Sequence, residues 1–592
     1  MSNRSKKNKS LPSKKELTPK DKPQKYVKSQ PYNYQVFKNK HAAKLLIIAA
    51  VLFFLFLLCL FKNISYPLFW SDESMTAIGS ERVIQFGYPK VHDGKNVFYD
   101  LRHSNSNLGI NEKDDAYIGG TGWGHYYYGV IGYKLAEKFD DFYSKTGVYR
   151  TSFAVIGLAG LLLLAFLISR FFEDRFAKYA FLSLFLFFEL TSISLLLLMR
   201  EVRYYSLTLF LCSTIVGLYI SDRFYKPFNK LAYIIIFTTA LWLLFNTFTP
   251  AYFILLLSIG LSEAIIAINR YLKKIELKEI IIDFTFSISP LLISLIFIYP
   301  LLAYFKTFEI SKAMENFAQY NNEMYWVHVS TVFKYYMNFE LFWLAVALKI
   351  IIVFNYKIAA AQKDPICSVS NFLTLVFMVF VFAISKIPNF IFTRYIIYIQ
   401  PFLCIIIILD LFLLLKAFSH GSKQLLNTRI LLLCVVSLFL FLYSQKNNAQ
   451  YILGYINQIT ERYEGPLDYT IPYIKEKYPE SDKLIIATNY EETSYMYYLK
   501  SKVVVGFTGN NLKDDIKTQP HIISYRNKWG NFVNIFQDYL QKGKYERIAF
   551  SVYDNPVNNI PELNFIPAFN HKFKTIQAKN TQEATELYIL NK

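Results

Sequence analysis

Cysteine is scarce in this sequence, and charge is missing from long stretches of it. Only 5 cysteines occur in 592 residues, without a CxxC pair, which excludes a disulfide framework. Charged residues make up 18% of the chain, but residues 45–61 contain none. Such apolar blocks exclude a soluble single-core protein, and an aromatic content of 18% excludes an intrinsically disordered chain.

The net charge of +20 is concentrated at the N-terminus. Residues 1–44 contain thirteen Lys and Arg against only Glu16 and Asp21, and they are rich in Ser, Pro, Gln and Asn. Such a segment cannot bury enough apolar surface to fold, so it is predicted to be a disordered cytoplasmic tail near anionic membrane lipid. No nucleic-acid recognition motif accompanies the charge, and we expect no nucleic-acid partner.

Apolar runs close to the length that crosses a bilayer predict a polytopic α-helical membrane protein. The first run lies between Lys44 and Lys62 and has no small-residue cleavage site, which is typical of a retained signal anchor. The eighth run contains Lys349, which must snorkel or face protein. We predict about eleven transmembrane helices, at 45–62, 152–170, 178–199, 204–221, 231–248, 251–268, 284–304, 340–355, 370–385, 395–415 and 430–443.

The distribution of Lys and Arg predicts the orientation of these helices. With the N-terminus in the cytoplasm, the later cytoplasmic loops contain fifteen basic residues and the short outer loops contain seven. We therefore expect a multi-pass protein of a bacterial inner (plasma) membrane. Its predicted parts are a transmembrane domain, 45–444, with outer segments 63–151 and 305–339, and a periplasmic or extracellular C-terminal domain, 445–592.

The C-terminal segment has the pattern of a small α/β extracytoplasmic domain. Strand-like runs KLIIATNY (483–490), KVVVGF (502–507) and RIAFSVY (547–553) alternate with helix-like segments, which predicts a partly parallel sheet. No GxGxxG or GxxxxGK[ST] motif occurs there, so the sequence does not predict a nucleotide site. A lid or scaffold over the membrane part is the favoured role for this domain.

Two carboxylates open the first outer segment. Asp72 and Glu73 lie at the predicted membrane boundary, where a carboxylate is expensive to desolvate. On a helix they differ by about 100°, so one can face a cavity while the other turns to a neighbour, and only one is expected to be a base. The alternative is structural, because Ser71 or Asp72 could cap a helix N-terminus.

A second charged group lies at the outer end of the third predicted helix. Arg200 and Arg203 are three positions apart, so on a helix they would share a face and could grip a phosphate, while Glu201 could orient an arginine or assist a reacting hydroxyl. Tyr204 follows them as a candidate substrate contact. Ordinary interfacial anchoring by Arg and Tyr is the alternative, although arginines on the outer side run against the positive-inside trend.

A third basic group precedes the tenth predicted helix. Lys386 and Arg394 lie where this helix enters from the outer side, at the depth of a lipid phosphate, and Tyr395 adds an aromatic contact. Together with Arg200 and Arg203, Arg394 could clamp the headgroup of a lipid-linked phosphate.

Glycines and aromatic residues are mixed at 119–129 of the first outer segment. Trp123, His125 and Tyr126 could contact a sugar ring, and an interfacial aromatic belt is the alternative. His92, His103 and His125 are too scattered for a zinc site. No cofactor is required by the pattern, and a divalent ion at the Asp72 carboxylate stays open.

The order of these motifs resembles the C-type glycosyltransferase (GT-C) superfamily. The features that carry the resemblance are the Asp72-Glu73 pair after the first helix, Gly147-Val148-Tyr149-Arg150 before the second, Arg200 to Tyr204, and Arg394-Tyr395. The chain is similar to bacterial polyprenyl-phosphate-sugar transferases related to protein O-mannosyltransferases and to the lipid A aminoarabinose transferase. The resemblance covers about residues 45–592.

The resemblance implies inverting sugar transfer from a polyprenyl-phosphate donor, with two interfacial helices in the first outer loop. It implies Asp72 as the catalytic base, Glu73 as its neighbour, and Arg203 and Arg394 around the donor phosphate. The segment 305–339 is too short for the β-trefoil domain of eukaryotic protein O-mannosyltransferases, and no WWDYG-type motif occurs. Protein glycosylation therefore does not follow, and the acceptor, whether lipid, glycan or protein, is undetermined.

A transferase for a polyprenyl-phosphate-linked sugar is the leading hypothesis from the sequence. A transporter or flippase of a lipid-linked saccharide is the alternative, but transporters often show internal repeats and charges or broken helices at mid-membrane, and neither is clear in this sequence. A non-enzymatic scaffold would leave the Asp72 pair and the arginines unexplained.

Overall fold

The computed structural model describes residues 42–97, 109–119, 122–354, 364–387, 391–419, 448–507, 517–526, 531–554 and 573–591. These residues form a mainly helical bundle followed by a small sheet. By length and composition, 8 helices could cross a membrane, or up to 10 if each of two bent pairs is one span. The predicted helix 430–443 and residues 1–41 of the predicted tail lie outside the described residues.

The bundle and the segments between its helices follow the order of the apolar runs. The helices are α1 (Ala42–Phe61), α2 (Ser71–Phe86), α3 (Gly124–Ala136), α4 (Phe142–Ser169), α5 (Arg175–Thr191), α6 (Ile193–Met199), α7 (Tyr204–Ile220), α8 (Lys230–Thr247), α9 (Thr249–Leu272), α10 (Leu277–Tyr304), α11 (Thr307–Phe317), α12 (Asn322–Phe339), α13 (Phe342–Phe354), α14 (Pro365–Ile384), α15 (Gln400–Ser419) and α16 (448–460).

Two of the predicted transmembrane helices are broken. The run at 178–199 forms α5 and α6, bent by 79°. The run at 340–355 forms only the 13-residue α13, and it is joined at 94° to α12. Consequently the segment 305–339, expected as a loop, consists largely of α11 and α12.

The two bends contact each other through buried polar groups. The Ser192 hydroxyl, between α5 and α6, donates to Oε1 of Glu340, between α12 and α13, at 2.8 Å. Tyr335 donates to the same oxygen at 3.0 Å, and Gln400 donates to Oε2 of Glu340 at 3.2 Å. A broken helix frees backbone groups, which apolar surroundings tolerate only where the break is buried in protein, as it is here.

Outward-facing surfaces of the bundle are apolar. Only 17% of the apolar stretch of helix α1 is buried, and the helix exposes large side chains such as Phe54. Helices α4 and α7 pack closely in the interior, where Gly160 lies against the backbone of Phe210. Lipid would cover the exposed apolar side chains.

The segment after α1 forms two short helices, α2 and α3, the number that the resemblance implied. In α2 the acidic residues Asp72 and Glu73 lie in the first turn, where the helix dipole stabilises negative charge, and Gly87 ends the helix in the left-handed conformation at φ 84°. Helix α3 packs on α2 at Gly79, whose Cα lies so close to the Tyr126 ring that no Cβ would fit. Between these helices, β1 (Ile110–Asn111) pairs antiparallel with β2 (Ala116–Tyr117).

The C-terminal domain is a five-stranded mixed sheet with helices. Its strands lie in the order β4, β3, β5, β7, β6, with β4, β3 and β5 parallel. Its elements are α17 (Pro466–Lys477), β3 (Ile485–Thr488), α18 (Glu492–Leu499), β4 (Lys502–Val505), β5 (Ile522–Ser524), α19 (Val533–Lys542), β6 (Tyr545–Tyr553) and β7 (Ala584–Leu590).

This domain shares an apolar core with the segment after α1. Phe69, Tyr149, Tyr495 and Leu587 belong to one buried cluster, so the sheet, α2 and α4 are packed together. Helix α18 lies directly on α2. The end of the bundle that contacts this domain is called its domain side.

Candidate active site

An aspartate held by two arginines lies at the domain side. Arg394 Nη1 donates to Oδ2 of Asp72 at 2.9 Å, and Arg203 Nη2 lies 3.6 Å from the same oxygen. Arg203 also donates from Nη1 to the Asp72 backbone carbonyl at 3.1 Å. The Asp72 side chain is 25% exposed, so the group is sheltered but still reachable from solvent.

The three side chains of this group lie at three separate breaks in the helical structure. Asp72 lies in the first turn of α2, and Arg203 is the extended residue, at φ −142° and ψ 174°, that precedes α7. Arg394 lies in the short 3-10 turn Thr393–Tyr395 ahead of α15. Helix starts leave backbone N–H groups unpaired, so an anion is stabilised where α2 and α7 begin.

Aromatic rings surround the two guanidinium groups. Arg394 lies 4.2 Å from the ring centre of Phe392 and 6.0 Å from that of Trp70, and Arg203 lies 5.6 Å from the ring of Tyr204. Rings within about 6 Å attract a guanidinium through the negative charge of their faces, which keeps the cations in place without neutralising them.

The predicted substrate residues Tyr204 and Tyr395 belong to this aromatic wall. Both rings stack on Phe248, at 4.9 Å and 6.3 Å between ring centres. Tyr395 also lies 5.5 Å from the Arg394 guanidinium. The structure therefore brings Asp72, Arg203, Arg394, Tyr204 and Tyr395 together.

Glu73 faces away from this group. It is fully buried, and it binds Arg150 through two hydrogen bonds, of 2.8 Å from Nε and 2.5 Å from Nη2. Its Oε1 atom also accepts from the backbone N–H of Val202 at 3.1 Å. Glu73 thus holds the segment before α7 in place, which indirectly positions Arg203.

The different directions expected for the Asp72 and Glu73 side chains agree with this geometry. One carboxylate faces the arginines and the other turns to a neighbour. The capping alternative does not hold, because Trp70 is the N-cap residue of α2 and makes no side-chain cap hydrogen bond.

Arg200 and Arg203 do not share a helix face, contrary to the expectation from their spacing. Helix α6 ends at Met199, so both arginines lie in the turn before α7. Arg200 donates to the Tyr455 hydroxyl at 2.9 Å and to the Lys62 carbonyl at 3.1 Å, on the side of α1 and α16. Glu201 is buried, and its charge acts on Arg150 rather than facing solvent.

His125 and Tyr126 lie behind the site. The His125 ring is fully buried, 4.0 Å from the ring of Tyr126 and 6.0 Å from that of Tyr204. Burial, followed by the positive charge of Arg203, lowers the pKa of His125 well below its usual value. His125 therefore places a neutral imidazole, rather than another positive charge, near Arg203.

Two further predicted residues have other surroundings. Trp123 donates to the Tyr117 carbonyl at 2.6 Å and packs edge-on against Tyr304 and Phe305. Lys386 has an exposed side chain just after α14. Within the described part of the chain, neither residue forms a hydrogen bond or ion pair with Asp72, Arg203 or Arg394.

A metal ion does not fit at Asp72. The nearest charged groups are two guanidinium groups, which would repel a divalent cation and cannot ligate it. Within the described parts of the chain, no three His, Cys, Asp or Glu side chains lie together in a way that could hold a metal ion.

The C-terminal domain reaches this site, and the sequence, which favoured a lid or scaffold over the membrane part, did not single out the residues that do so. Thr493, in α18, donates to the backbone carbonyl of Ser71 at 3.1 Å, and Ser494 donates to that of Phe69 at 2.8 Å. Burial raises the pKa of Tyr490, and the carboxylates of Glu491 and Asp72 raise it further, so Tyr490 lies within electrostatic reach of Asp72. Only its position at the end of the strand-like run 483–490 could have drawn attention to it.

Fold and site together define a helical membrane protein with an aspartate–arginine centre beneath a small α/β domain. Two solved structures are similar to this chain, both of ArnT from Cupriavidus metallidurans, a lipid A aminoarabinose transferase of GT-C fold. The apo state has 11% sequence identity and a TM-score of 0.47, covering 92% of this chain and 98% of that chain. The structure bound to undecaprenyl phosphate has 10% identity and a TM-score of 0.47, covering 86% and 96%.

No protein-family model matches the sequence, and no curated protein does.

Proposed function

We propose that this protein is an inverting glycosyltransferase that moves a sugar from a polyprenyl-phosphate donor to an acceptor hydroxyl at the outer face of the membrane. The observation that carries the proposal is the Asp72 carboxylate beside the guanidinium groups of Arg203 and Arg394. One proton acceptor and two fixed cations are the groups that this chemistry requires.

Asp72 is the proposed base. An acceptor hydroxyl becomes a good nucleophile when a carboxylate takes its proton as the new bond forms, and general base catalysis of this kind contributes about 10² to 10⁴ in rate. The position of Asp72 in the first turn of α2 keeps the carboxylate oriented, because Glu73 anchors the same turn to Arg150.

Arg203 and Arg394 are the proposed ligands of the donor phosphate. As the bond between the sugar and the phosphate breaks, negative charge grows on the phosphate, and preorganised guanidinium groups stabilise it. Because the acceptor attacks from the face opposite the phosphate, the anomeric configuration inverts without a covalent sugar–enzyme intermediate.

Donor binding would also prepare the base. In this structure Arg394 donates to Oδ2 of Asp72, so that oxygen is already occupied by a hydrogen bond. A donor phosphate would offer the Arg394 guanidinium a second, bidentate acceptor in place of this single carboxylate oxygen. Asp72 would then be free to accept the proton of the acceptor.

Purified protein incubated with polyprenyl-phosphate-linked sugars tests the proposal directly. The expected product is free polyprenyl phosphate, formed in equal amount with glycosylated acceptor of inverted configuration. Retained configuration would contradict the mechanism. Movement of the intact donor across a vesicle membrane without cleavage would instead favour the flippase hypothesis.

A further inference from the structure

The C-terminal sheet has a topological switch point at the end that faces the membrane site. Strand β3 lies between β4 and β5, and all three strands are parallel. The chain passes from β3 to β4 on one side, and then crosses to β5 on the other side of β3. In open α/β sheets, ligands bind outside the carboxyl ends of the strands at this kind of switch point. Here the carboxyl end of β3 is the segment that begins with Asn489.

That end of the sheet lies over Asp72. Tyr490 lies between β3 and α18, and α18 packs on α2, the helix that carries Asp72. Thr493, in α18, donates to the backbone carbonyl of Ser71 at 3.1 Å, next to Asp72 in the chain. A molecule at the switch point would therefore have one side against the sheet and the other against the Asp72 carboxylate.

Buried charged and amide groups surround this switch point. Arg526, after β5, forms ion pairs with Glu491 and with Asp554. The Asn489 side chain accepts from the Arg526 backbone N–H at 2.7 Å and donates to its carbonyl at 3.1 Å. Glu491 is kept at φ 63°, a backbone conformation costly for a residue with a side chain, and such strain is found mainly at functional sites.

A second, independent feature at this edge is the Glu492 carboxyl group. The residue is 7% exposed, and its Oε2 atom has no hydrogen-bond partner among the described residues. Its carboxyl group lies beside Gly506, at the carboxyl end of β4. Burial raises the pKa of Glu492, against the lowering effect of backbone hydrogen bonds from Glu492 itself and from Phe507, and the unpartnered Oε2 atom is left for a ligand.

The two halves of the combined site carry opposite charge. At the membrane half, the two guanidinium groups of Arg203 and Arg394 exceed the one carboxylate of Asp72. At the domain half, the carboxylates of Glu491 and Asp554 exceed the one guanidinium of Arg526. An anion is therefore favoured at the membrane half and disfavoured at the domain half.

We propose that the carboxyl edge of β3, β4 and β5 is the acceptor site, and that the acceptor is a neutral or amino-bearing saccharide rather than a phosphorylated one. Carboxylate, amide and phenol groups pair with sugar hydroxyls, and the exposed Phe507 ring, whose centre lies 6.1 Å from that of the buried Tyr490 ring, offers a face for a sugar ring. Tyr490 is an acceptor-binding residue. This inference rests on the proposed function.

The reaction at this site balances without a further reagent. The acceptor oxygen forms a bond to the anomeric carbon of the donor, the bond from that carbon to the phosphate oxygen breaks, and the electron pair leaves with polyprenyl phosphate. The acceptor proton passes to Asp72 and then to solvent.

Full-length protein in lipid nanodiscs, supplied with a polyprenyl-phosphate sugar, provides the test. The acceptor probes are methyl glycosides of neutral sugars, their 2-amino analogues, their 6-phosphates, and a serine-containing peptide. Released polyprenyl phosphate and the mass of the glycosylated probe are both measured, and donor hydrolysis without acceptor is measured separately. Neutral or amino glycosides should be the preferred acceptors.

Two variants locate the acceptor. Loss of one hydrogen bond in Tyr490→Phe, which keeps the ring, should raise the KM for the acceptor about fivefold. The KM for the donor and the rate of donor hydrolysis should stay unchanged. Glu491→Gln should act in the same direction, and if it fails to fold, Tyr490→Phe decides. The matched control is Tyr588→Phe, whose hydroxyl binds Glu586 at 2.7 Å on β7.

The outcomes separate this inference from the proposed function. Cleavage of the donor with a preference for the phosphorylated or peptide acceptor, or an acceptor KM that Tyr490→Phe leaves unchanged, would overturn the acceptor site alone. Absence of polyprenyl phosphate with every donor and acceptor would overturn both.

Discussion

Arg394 Nη1 and Asp72 Oδ2 lie 2.9 Å apart although 322 positions separate the two residues in the chain. Asp72 lies in the first turn of α2, after the first membrane helix, and Arg394 lies shortly before α15, one of the last helices of the bundle. Their contact can form only when the bundle has closed, so the site is a product of the complete fold. The charges at this contact can be tested one at a time.

Replacement of the carboxylate tests the base. Asp72→Asn keeps the shape of the side chain but cannot take a proton, so the transfer rate should fall by about 10² to 10⁴. Release of polyprenyl phosphate in the presence of acceptor is the measurement. Donor binding, measured with radiolabelled donor, should remain.

The matched control for Asp72 lies on the same helix. Glu81 pairs with Lys500 at 2.8 Å near the surface, so Glu81→Gln makes the same chemical change outside the site. It should leave the rate within about twofold of wild type, since an exposed ion pair contributes little. Transfer by Asp72→Asn at the Glu81→Gln rate would remove Asp72 from the mechanism.

Replacement of the arginines tests the phosphate site. Lysine keeps the positive charge but loses the planar fork, so Arg394→Lys and Arg203→Lys should each raise the KM for the donor about tenfold or more. The KM for the acceptor should change little. Arg547→Lys, on β6 and paired with Glu586, is the control. Donor kinetics that stay the same in both site variants would contradict the phosphate assignment.

Much of the membrane part could be predicted from the sequence. Eight of the eleven predicted helices match helices long and apolar enough to cross a membrane, and two more, at 178–199 and 340–355, fall in bent pairs. An apolar run of bilayer length has few stable structures other than a helix. The different directions of Asp72 and Glu73 also follow from the 100° rotation per residue of a helix.

The breaks in the helices could not be predicted in the same way. The bend after α5 depends on the hydrogen bond between Ser192 and Glu340, which are 148 positions apart. The predicted helix 178–199 continues through Ser192, and the predicted helix 340–355 includes Glu340, so neither residue indicates a bend. Glu189, inside the predicted helix 178–199, was the one local sign that this run is unusual.

The partners of the charged residues were equally hidden. The spacing of Arg200 and Arg203 suggests a common helix face, but α6 ends before both, and Arg200 turns to Tyr455 instead. Tyr490 lies in another domain, and only the packing of α18 on α2 places it near Asp72. Sequence spacing indicates neighbours only while the chain stays in one regular element.

Separation of the ion pair between Glu73 and Arg150 tests its structural role. Both side chains are buried, at 0% and 3% exposure, so Glu73→Gln would leave an unpaired buried guanidinium and cost about 3 to 5 kcal/mol. The melting temperature in detergent should fall clearly. The double variant Glu73→Gln/Arg150→Gln should recover part of the loss. A stable but inactive Glu73→Gln variant would instead give Glu73 a chemical role.

The pH dependence of stability should report on Asp468, which joins the C-terminal domain to the bundle. Its Oδ1 accepts from the backbone N–H of Leu68 at 3.0 Å and its Oδ2 from that of Gly465 at 2.7 Å. Burial raises the pKa of Asp468 from 3.8 to about 7, against the opposing effect of these hydrogen bonds. The folded protein therefore holds this proton at pH values where the unfolded chain has lost it.

Stability should consequently fall as the pH rises from about 4 to about 7, by up to about 4 kcal/mol from this group, and level off above that range. Melting temperatures of the full-length protein at pH 5 and pH 8 measure the effect. Asp468→Asn should be less stable at pH 5, because its amide cannot accept both hydrogen bonds, and should lose most of the difference between the two pH values. The exposed Asp482→Asn should keep it. A wild-type melting temperature that is higher at pH 8, or an Asp468→Asn variant that falls as steeply as wild type, would show that another group controls this transition.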